Sequence, residues 1–159
     1  YILVDSEPDK GTTFNIYLPL SPEKSGQKKQ ETSSPIAGSE TILIAEDNEE
    51  VRNFIVEALK KYGYKVVDAV DGEDAINKFK QHINIKLAII DSVMPKKNGF
   101  EVYKEISKLK PDIKVLFMSG YTKDIALDKG MDNLDYNFIS KPLSLNELLL
   151  KMRNILSTN

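Results

Sequence analysis

Residues 87–102 have the sequence LAIIDSVMPKKNGFEV, which begins as a short apolar strand and ends that strand at a carboxylate, Asp91. Three other short apolar runs are followed by polar side chains: Glu46 and Asp47 after TILIA, Ser119 after VLFM, and Lys141 after NFIS. Because the carboxyl ends of parallel strands share one edge, where ligands bind, we expect these side chains to lie together. Carboxylates, a hydroxyl and an ammonium in one place predict a site for a divalent cation and a phosphoryl group.

Outward from these strands, the pattern from residue 41 onward alternates between strands and helices. A further strand is predicted at Lys65–Ala69, and the strand before Asp91 at 87–90. The apolar stripes of three helices are Val51, Phe54, Ile55, Ala58, Leu59 and Tyr62; then Ala75, Ile76 and Phe79; then Val102, Ile106 and Leu109. The last helix is predicted to begin at Ser144, with Glu147 completing a capping box. Between Ser119 and the strand NFIS lies a poorly patterned stretch that contains Ile125 and Leu127.

Five strands alternating with five helices in about 120 residues predict an α/β fold with a doubly wound parallel sheet. Right-handed connections then fix the edge that collects the loops. In the flavodoxin-like strand order 2-1-3-4-5 the first and third strands are neighbours at the switch point. The carboxylates of Glu46, Asp47 and Asp91 would therefore meet there, and a hard, oxygen-seeking cation such as Mg²⁺ would relieve their mutual repulsion.

Each of these polar residues also has a purely structural interpretation. Asp47 or Asn48 could cap the following helix, and an Asp that ends a buried strand usually caps a turn. Lys141 could be a solvated loop lysine, although it precedes Pro142. An X-Pro bond at such a turn is a candidate for the cis form, which would direct the ammonium inward. The joint occurrence of these residues favours a functional site.

The first 40 residues differ from the rest in pattern. Within residues 1–20 two alternating runs flank a turn with Pro8, Asp9 and Gly11, which predicts a β-hairpin. Because a lone hairpin is marginal in water, we expect these strands to belong to a larger sheet upstream. Residues 21–39 are rich in Ser, Lys, Gln and Glu and nearly free of large apolar side chains, so we expect a flexible linker there.

Composition narrows the functional class. The chain has 159 residues and a net charge of −2, so it has no basic field that would favour nucleic acid. It contains no cysteine, which excludes disulfides and thiolate metal sites and fits a cytoplasmic location. No apolar run approaches the ~18 residues of a membrane span, and we expect no membrane contact. The first residue is Tyr1 rather than methionine, which indicates a piece of a longer protein.

Four stretches carry a specific resemblance: ILIAEDNEEVR, LAIIDSVMPKKNGFEV, VLFMSGY and FISKPLS. In this order and at these spacings they resemble the receiver domain of two-component response regulators, over residues 40–159, about three quarters of the chain. The resemblance implies that Asp91 accepts a phosphoryl group from a phosphohistidine. It implies that Ser119 and Lys141 bind the phosphoryl oxygens and that the domain then changes conformation.

The same resemblance implies a Mg²⁺ site and a switch. Asp47 and Asp91 would bind the metal, Glu46 would help through water, and the backbone carbonyl of Val93 would add a ligand. The acidic pair here is Glu-Asp where Asp-Asp is also common, and the longer carboxylate should still reach the metal. Phe138 fills the aromatic switch position that turns inward when Ser119 is drawn to the phosphate, without the hydroxyl that a tyrosine would bring.

Two positions beside the acceptor predict how long the phosphoryl group survives. Val93 and Tyr121 lie two residues beyond Asp91 and Ser119, where receiver domains admit or block water. An apolar and an aromatic side chain there predict slow hydrolysis.

The amino-terminal piece has a resemblance of its own. The sequence YILVDSEPDKGTTFNIYLPL, with its GTTF turn, resembles the last two strands of the ATP-binding domain of sensor histidine kinases. Together the segments imply the receiver end of a hybrid histidine kinase, which could be a homodimer through the parent kinase. Its partners would be the kinase core of the same protein or a histidine phosphotransfer protein. The single histidine, His82, is expected to be a solvated surface residue rather than a phosphodonor.

Three rival functions have weaker support. A Mg²⁺-dependent phosphohydrolase with an aspartyl nucleophile would usually place that residue in a DxD turn after the first strand, whereas Asp91 follows the third. A flavin- or nucleotide-binding module would need a glycine-rich loop after the first strand, and none is present. A receiver used only for docking would have no reason to retain all the site residues.

Overall fold

The computed structural model describes residues 1–18, 37–120 and 137–158. Residues 1–18 belong to one compact unit and the later residues to a second. The first unit is an antiparallel hairpin of β1, Ile2–Glu7, and β2, Gly11–Ile16. Ile2 lies opposite Ile16, Val4 lies opposite Phe14, and all four side chains are more than half exposed. The turn between the strands is made by Asp9 and Gly11, both with positive φ.

The second unit contains a five-stranded parallel sheet. Its strands are β3, Thr41–Ala45; β4, Lys65–Ala69; β5, Ile85–Asp91; β6, Lys114–Ser119; and β7, Asn137–Ser140. They lie in the order β4-β3-β5-β6-β7, which confirms the predicted flavodoxin-like order 2-1-3-4-5. The central strand β5 begins two residues earlier than its apolar run predicts, because Ile85 is buried and pairs with Thr41 of β3.

Four helices lie within the described part of the chain: α1, Glu49–Lys61; α2, Gly72–Gln81; α3, Gly99–Leu109; and α4, Leu145–Ser157. Ile125 and Leu127, in the region of the fifth predicted helix, lie outside the described residues. Among those residues no helix is long and apolar enough to cross a membrane.

The hydrophobic core has two layers, one on each face of the sheet. Successive strand residues point to opposite faces, so Ile42 and Ile44 join one layer while Leu43 and Ala45 join the other. Residues of α1 and α4 complete the first layer, and residues of α2 and α3 complete the second. Because helices cover both faces, residues 42–45, 87–90 and 115–118 of the three central strands are continuous apolar runs, and the polar side chains of the candidate site end or follow these runs.

Two predicted apolar positions and one predicted cap are wrong. Phe54 and Leu109 are about half exposed, because each lies at the edge of its helical stripe, beyond the contact with the sheet. Ser144 is the N-cap residue of α4, but its side chain makes no capping hydrogen bond. Glu147 instead forms an ion pair with Lys151, one turn further along the helix, at 3.1 Å.

At the amino ends of the strands, residues 37–40 are held by an arginine of α4. The Arg153 guanidinium donates to Glu40 Oε1 and to the carbonyl of Ala37, both at 2.8 Å. The backbone of Gly38 donates to the Tyr62 carbonyl at 3.0 Å, at the turn after α1. We call residues 37–40 with Arg153 the amino-end clamp.

Candidate functional site

Three carboxylates meet at the carboxyl ends of the two central strands. Glu46 and Asp47 directly follow β3, and Asp91 is the last residue of the neighbouring strand β5. One carboxylate oxygen from each of the three lies within 4.8 Å of the others. Glu46 is 1% exposed and Asp91 is 7% exposed, whereas Asp47 is open to solvent. The topology thus places two buried acids and one exposed acid in a single pocket.

Lys141 lies across this pocket from the end of β7. Its ammonium donates to Glu46 Oε2 at 2.7 Å and to Asp91 Oδ2 at 2.9 Å. Only 26% of its side chain is exposed, so the interpretation of Lys141 as a solvated loop lysine is wrong. The bond to Pro142 is cis, as the sequence suggested. One cation therefore bridges two of the three carboxylates, and among the described residues acidic side chains outnumber ammonium groups in this pocket.

Burial and charge shift the ionisation of these groups in opposite senses. Burial raises the pKa of Glu46; the hydrogen bond from Lys141 opposes the rise, and the negative charge of Asp91 adds to it. For Lys141, burial by itself lowers the pKa, but the hydrogen bonds and charges of Glu46 and Asp91 together outweigh it. The pKa of Lys141 therefore lies above its ordinary value, and the bridge keeps its ammonium form.

Backbone contacts fix the surroundings of Asp91. The Val93 amide points to Asp91 Oδ1 at 3.4 Å, a long contact, so turn capping accounts for little of this aspartate's environment. Val93, two residues beyond Asp91, is 75% exposed. Behind Asp91, Gly99 begins α3 so close to the Asp91 carbonyl that a Cβ at residue 99 would clash with it.

Ser119 lies at the end of β6, and Phe138 lies on β7, the outermost strand on that side of the sheet. Ser119 ends β6, is 3% exposed, and accepts a hydrogen bond through its carbonyl from the Lys141 amide at 2.8 Å. Phe138 on β7 is half-buried and stacks on Phe117 of β6, with ring centroids 5.5 Å apart. The second flanking position, Tyr121, lies outside the described residues.

Of the two caps that the sequence offered for α1, Asn48 is the one formed: it accepts from the Val51 amide at 3.0 Å, which leaves the Asp47 carboxylate available. The contribution of Arg52 was not predicted from the sequence. Arg52 of α1 is buried and donates to the Glu46 carbonyl at 2.8 Å. A signal for Arg52 was present, because it falls at helical spacing within the buried stripe of α1.

Asp71 and Lys96 join the loop after Asp91 to the start of α2. Asp71 caps α2, and the Lys96 ammonium lies 2.7 Å from its carboxylate. The Lys96 hydrogen bond, with that from the Asp74 amide, holds the pKa of Asp71 below its ordinary value. Lys96 itself has a positive φ of 65°, which the sequence gives no reason to expect of a lysine.

Fold and site together define a doubly wound α/β domain with an acidic, lysine-bridged pocket at its switch point. Residues 42–153 match the response regulator receiver domain family. The receiver protein CpdR of Brucella abortus is 33% identical over 116 residues, which cover 72% of this chain and 95% of CpdR. The chain therefore belongs to the response regulator receiver domain family, and it functions as a phosphorelay receiver in two-component signal transduction.

Two further similarities concern a hybrid kinase. The sensor kinase CckA of Brucella abortus is 34% identical over 166 residues, covering 98% of this chain but only 18% of the kinase. The solved receiver domain of the hybrid histidine kinase CckA superposes with a TM-score of 0.62 at 28% identity, covering 74% of this chain and 99% of that domain. The Vibrio cholerae chemotaxis protein CheY4, with a TM-score of 0.67 at 22% identity, covers 74% of this chain and 99% of its own and supports the fold alone.

Proposed function

We propose that Asp91 is the residue that accepts the phosphoryl group. The observation that supports it most is the position of Asp91: a nearly buried carboxylate at the switch point, bridged by Lys141 and beside two further acids. A carboxylate oxygen of Asp91 would attack the phosphorus of a phosphohistidine. The new P–O bond forms as the P–N bond breaks, and the imidazole leaves with the bonding electron pair and takes up a proton.

Lys141 and Ser119 would hold the transferred group. The Lys141 ammonium is already 2.9 Å from Asp91 Oδ2, so a short movement brings it to the phosphoryl oxygens. Ser119 ends the adjacent strand and is joined to Lys141 by the backbone hydrogen bond at 2.8 Å. A fixed cation and a hydroxyl would neutralise and orient the phosphoryl oxygens, which is most of what phosphoryl transfer requires.

Glu46, Asp47, Asp91 and the Val93 carbonyl would bind Mg²⁺. Three carboxylates within 4.8 Å of one another, bridged by a single ammonium among the described residues, fit a divalent cation that prefers oxygen ligands. When bound, Mg²⁺ would neutralise negative charge on the phosphoryl group. Because Lys141 contacts both Glu46 and Asp91, its ammonium would have to give up part of this bridge to the metal.

Phe138 and Ser119 would convert phosphorylation into a change of shape. Phe138 stacks on Phe117, and its carbonyl accepts from Lys151 of α4 at 2.6 Å. If Ser119 moves toward the phosphoryl group, the ring of Phe138 can turn into the space it vacates. The change would then reach the surface formed by β7 and α4.

We further propose that the chain is the receiver end of a hybrid histidine kinase. Residues 1–20 would be the last hairpin of the ATP-binding domain, 21–39 the linker and 40–159 the receiver. The match to CckA covers 98% of the chain, hairpin included, and the apolar side chains of β1 and β2 are exposed, as expected of strands taken from a larger sheet. The phosphodonor would be the kinase core of the same protein or a histidine phosphotransfer protein.

Intact-mass spectrometry with acetyl phosphate and Mg²⁺ tests the proposal. The parent chain should gain one phosphoryl group, Asp91→Asn should gain none, and a chelator should abolish labelling. Asp112→Asn, which changes an exposed aspartate of the turn before β6, is the matched control and should label like the parent. Equal labelling of Asp91→Asn would contradict the assignment. Continuous release of phosphate without labelled protein would instead support a phosphohydrolase.

A further inference from the structure

Arg52 is a buried cation directly behind the acidic pair. It lies on the first turns of α1, and only 8% of its surface is exposed. One guanidinium nitrogen, Nη1, donates to the Glu46 carbonyl at 2.8 Å and to the Asp47 carbonyl at 3.3 Å. A single side chain thus contacts the backbone carbonyls of both acidic residues and leaves their carboxylates free of contact with Arg52.

Burying this guanidinium is unfavourable unless its donors are satisfied. Its Nε has no hydrogen-bond partner among the described residues, and the nearest acid, Asp68 of β4, lies at 3.9 Å and is itself half exposed. The ion pair with Asp68 is therefore long and solvated and contributes little. The short, buried contact of Arg52 is the one with the Glu46 carbonyl, and the longer, partly buried contact with the Asp47 carbonyl extends it to the second acidic residue.

We propose that Arg52 is a positioning residue for the acidic pair, an inference that rests on the proposed Mg²⁺ site. By hydrogen bonding to both carbonyls, Arg52 fixes the peptide groups that follow Glu46 and Asp47. It thereby restrains the directions in which the two carboxylates project. The Asn48 cap and the hydrogen bond from the Asn48 amide to Glu46 Oε1, at 3.3 Å, restrain the same turn from the helix side. Without Arg52 the turn would sample more conformations, and metal binding would have to order it.

Loss of such a supporting contact typically weakens metal affinity by about 10- to 100-fold. Arg52→Met keeps a long side chain but removes the guanidinium that donates to both carbonyls, so we expect its Mg²⁺ dissociation constant to rise at least about tenfold. Arg52→Lys keeps the positive charge and a donor group, so its Mg²⁺ dissociation constant should lie between those of the parent and Arg52→Met. Asp68→Asn removes the long ion pair but leaves both carbonyl contacts, so its Mg²⁺ affinity should equal that of the parent.

Heteronuclear NMR of the full chain provides the test in two measurements. In metal-free buffer, the carbonyl ¹³C resonances of Glu46 and Asp47 should move upfield in Arg52→Met but not in Asp68→Asn. A Mg²⁺ titration followed on the amide resonances then gives the four dissociation constants. If Arg52→Met does not fold, Arg52→Lys takes its place, provided that its thermal stability equals that of the parent. Its carbonyl shifts and Mg²⁺ affinity, compared with those of the parent, then show whether Arg52 positions the acidic pair.

The outcomes separate this inference from the proposed function. Unchanged carbonyl shifts, or a Mg²⁺ affinity within about twofold of the parent, would overturn the positioning role. Equal weakening in Arg52→Met and Asp68→Asn would overturn it too, because the ion pair would then be the cause. If the parent binds no Mg²⁺, the metal site itself fails, and the metal-free carbonyl shifts still decide whether Arg52 holds the turn.

Discussion

Glu46 and Glu40 are the same residue type at opposite ends of β3, and their surroundings differ. At the carboxyl end, burial raises the pKa of Glu46 among like charges. At the amino end, burial also acts to raise the pKa of Glu40, but hydrogen bonds from its own backbone, the Ser39 backbone and Arg153 outweigh burial and lower the pKa. The amino-end clamp therefore favours the charged form of Glu40, whereas burial in the pocket disfavours the charged form of Glu46.

This difference assigns separate tasks to the two ends of one sheet. At the amino end of β3 the charge of Glu40 is matched by Arg153, an arrangement that favours stability. The carboxyl ends retain an unbalanced negative charge that a cation or a phosphoryl complex can use, which is the usual conflict between stability and function. Substitutions at the two ends should therefore separate the two properties.

The largest effect is expected from Lys141→Met. Phosphorylation by acetyl phosphate should slow about 10²-fold, because a cation that neutralises the phosphoryl oxygens is lost. In the presence of chelator the free energy of unfolding should fall by about 2 kcal/mol, since Glu46 and Asp91 lose their charged donor. Mg²⁺ affinity should rise, and Mg²⁺ should restore most of the stability. Denaturant unfolding with and without Mg²⁺ measures the loss of stability and its recovery. A Mg²⁺ affinity lower than that of the parent would contradict the prediction.

The same substitution, glycine to alanine, can be made at each end. At Gly99 the new Cβ would clash with the Asp91 carbonyl, and at Gly38 it would clash with the buried ring of Tyr64. Each variant should lose about 1–3 kcal/mol of unfolding free energy. Only Gly99→Ala should also slow phosphorylation, because it displaces the acceptor strand. Equal phosphorylation rates in both variants would break the proposed division of tasks.

Glu46→Gln should stabilise the metal-free protein at neutral pH. The pKa of Glu46 is higher in the folded protein than its value of 4.5 in the unfolded chain. The favourable contribution of Glu46 to stability is therefore present below pH 4.5 and is lost as the pH rises through the folded pKa. Glutamine imitates the protonated form, so the gain in melting temperature should be full at pH 7 and should fade toward pH 4.5. Melting curves across this range, with chelator, give the answer, and lower stability at pH 7 would refute it.

Glu40→Gln should have a smaller effect of the opposite sign. The pKa of Glu40 is lower in the folded protein than its value of 4.5 in the unfolded chain. Its contribution to stability is therefore present above pH 4.5 and is lost as the pH falls through the folded pKa. Replacing it should cost about 0.5 kcal/mol at pH 7 and nothing at strongly acidic pH. Phosphorylation should be unchanged. A gain in stability at pH 7 would show that Arg153 does not favour the charged form.

The fold was largely predictable because the three central strands contain continuous apolar runs with clear ends. The strands Lys65–Ala69 and Asn137–Ser140 were predicted residue for residue. Helical periodicity could not show which edge of a stripe meets the sheet, so Phe54 was placed inward although it is half exposed. It also could not show that Glu147 would pair along its helix with Lys151 rather than cap it.

The proximity of the candidate site residues was predictable, whereas their hydrogen bonds and ion pairs were not. The strand order alone brings Glu46, Asp47 and Asp91 together, so their proximity follows from the topology. The bridging position of Lys141 and the hydrogen bonds of Arg52 depend on how long side chains reach across elements distant in sequence. Such contacts are set by tertiary packing, which local patterns do not encode.

Direct identification of the phosphorylated residue tests the central claim. After incubation with acetyl phosphate and Mg²⁺, borohydride reduces an aspartyl phosphate to homoserine, which peptide mass spectrometry locates in the sequence. We predict homoserine at position 91 alone, absent when Mg²⁺ is chelated. Homoserine at another aspartate, or phosphate retained on a side chain other than Asp91, would contradict the assignment of this edge of the sheet as the phosphoryl acceptor site.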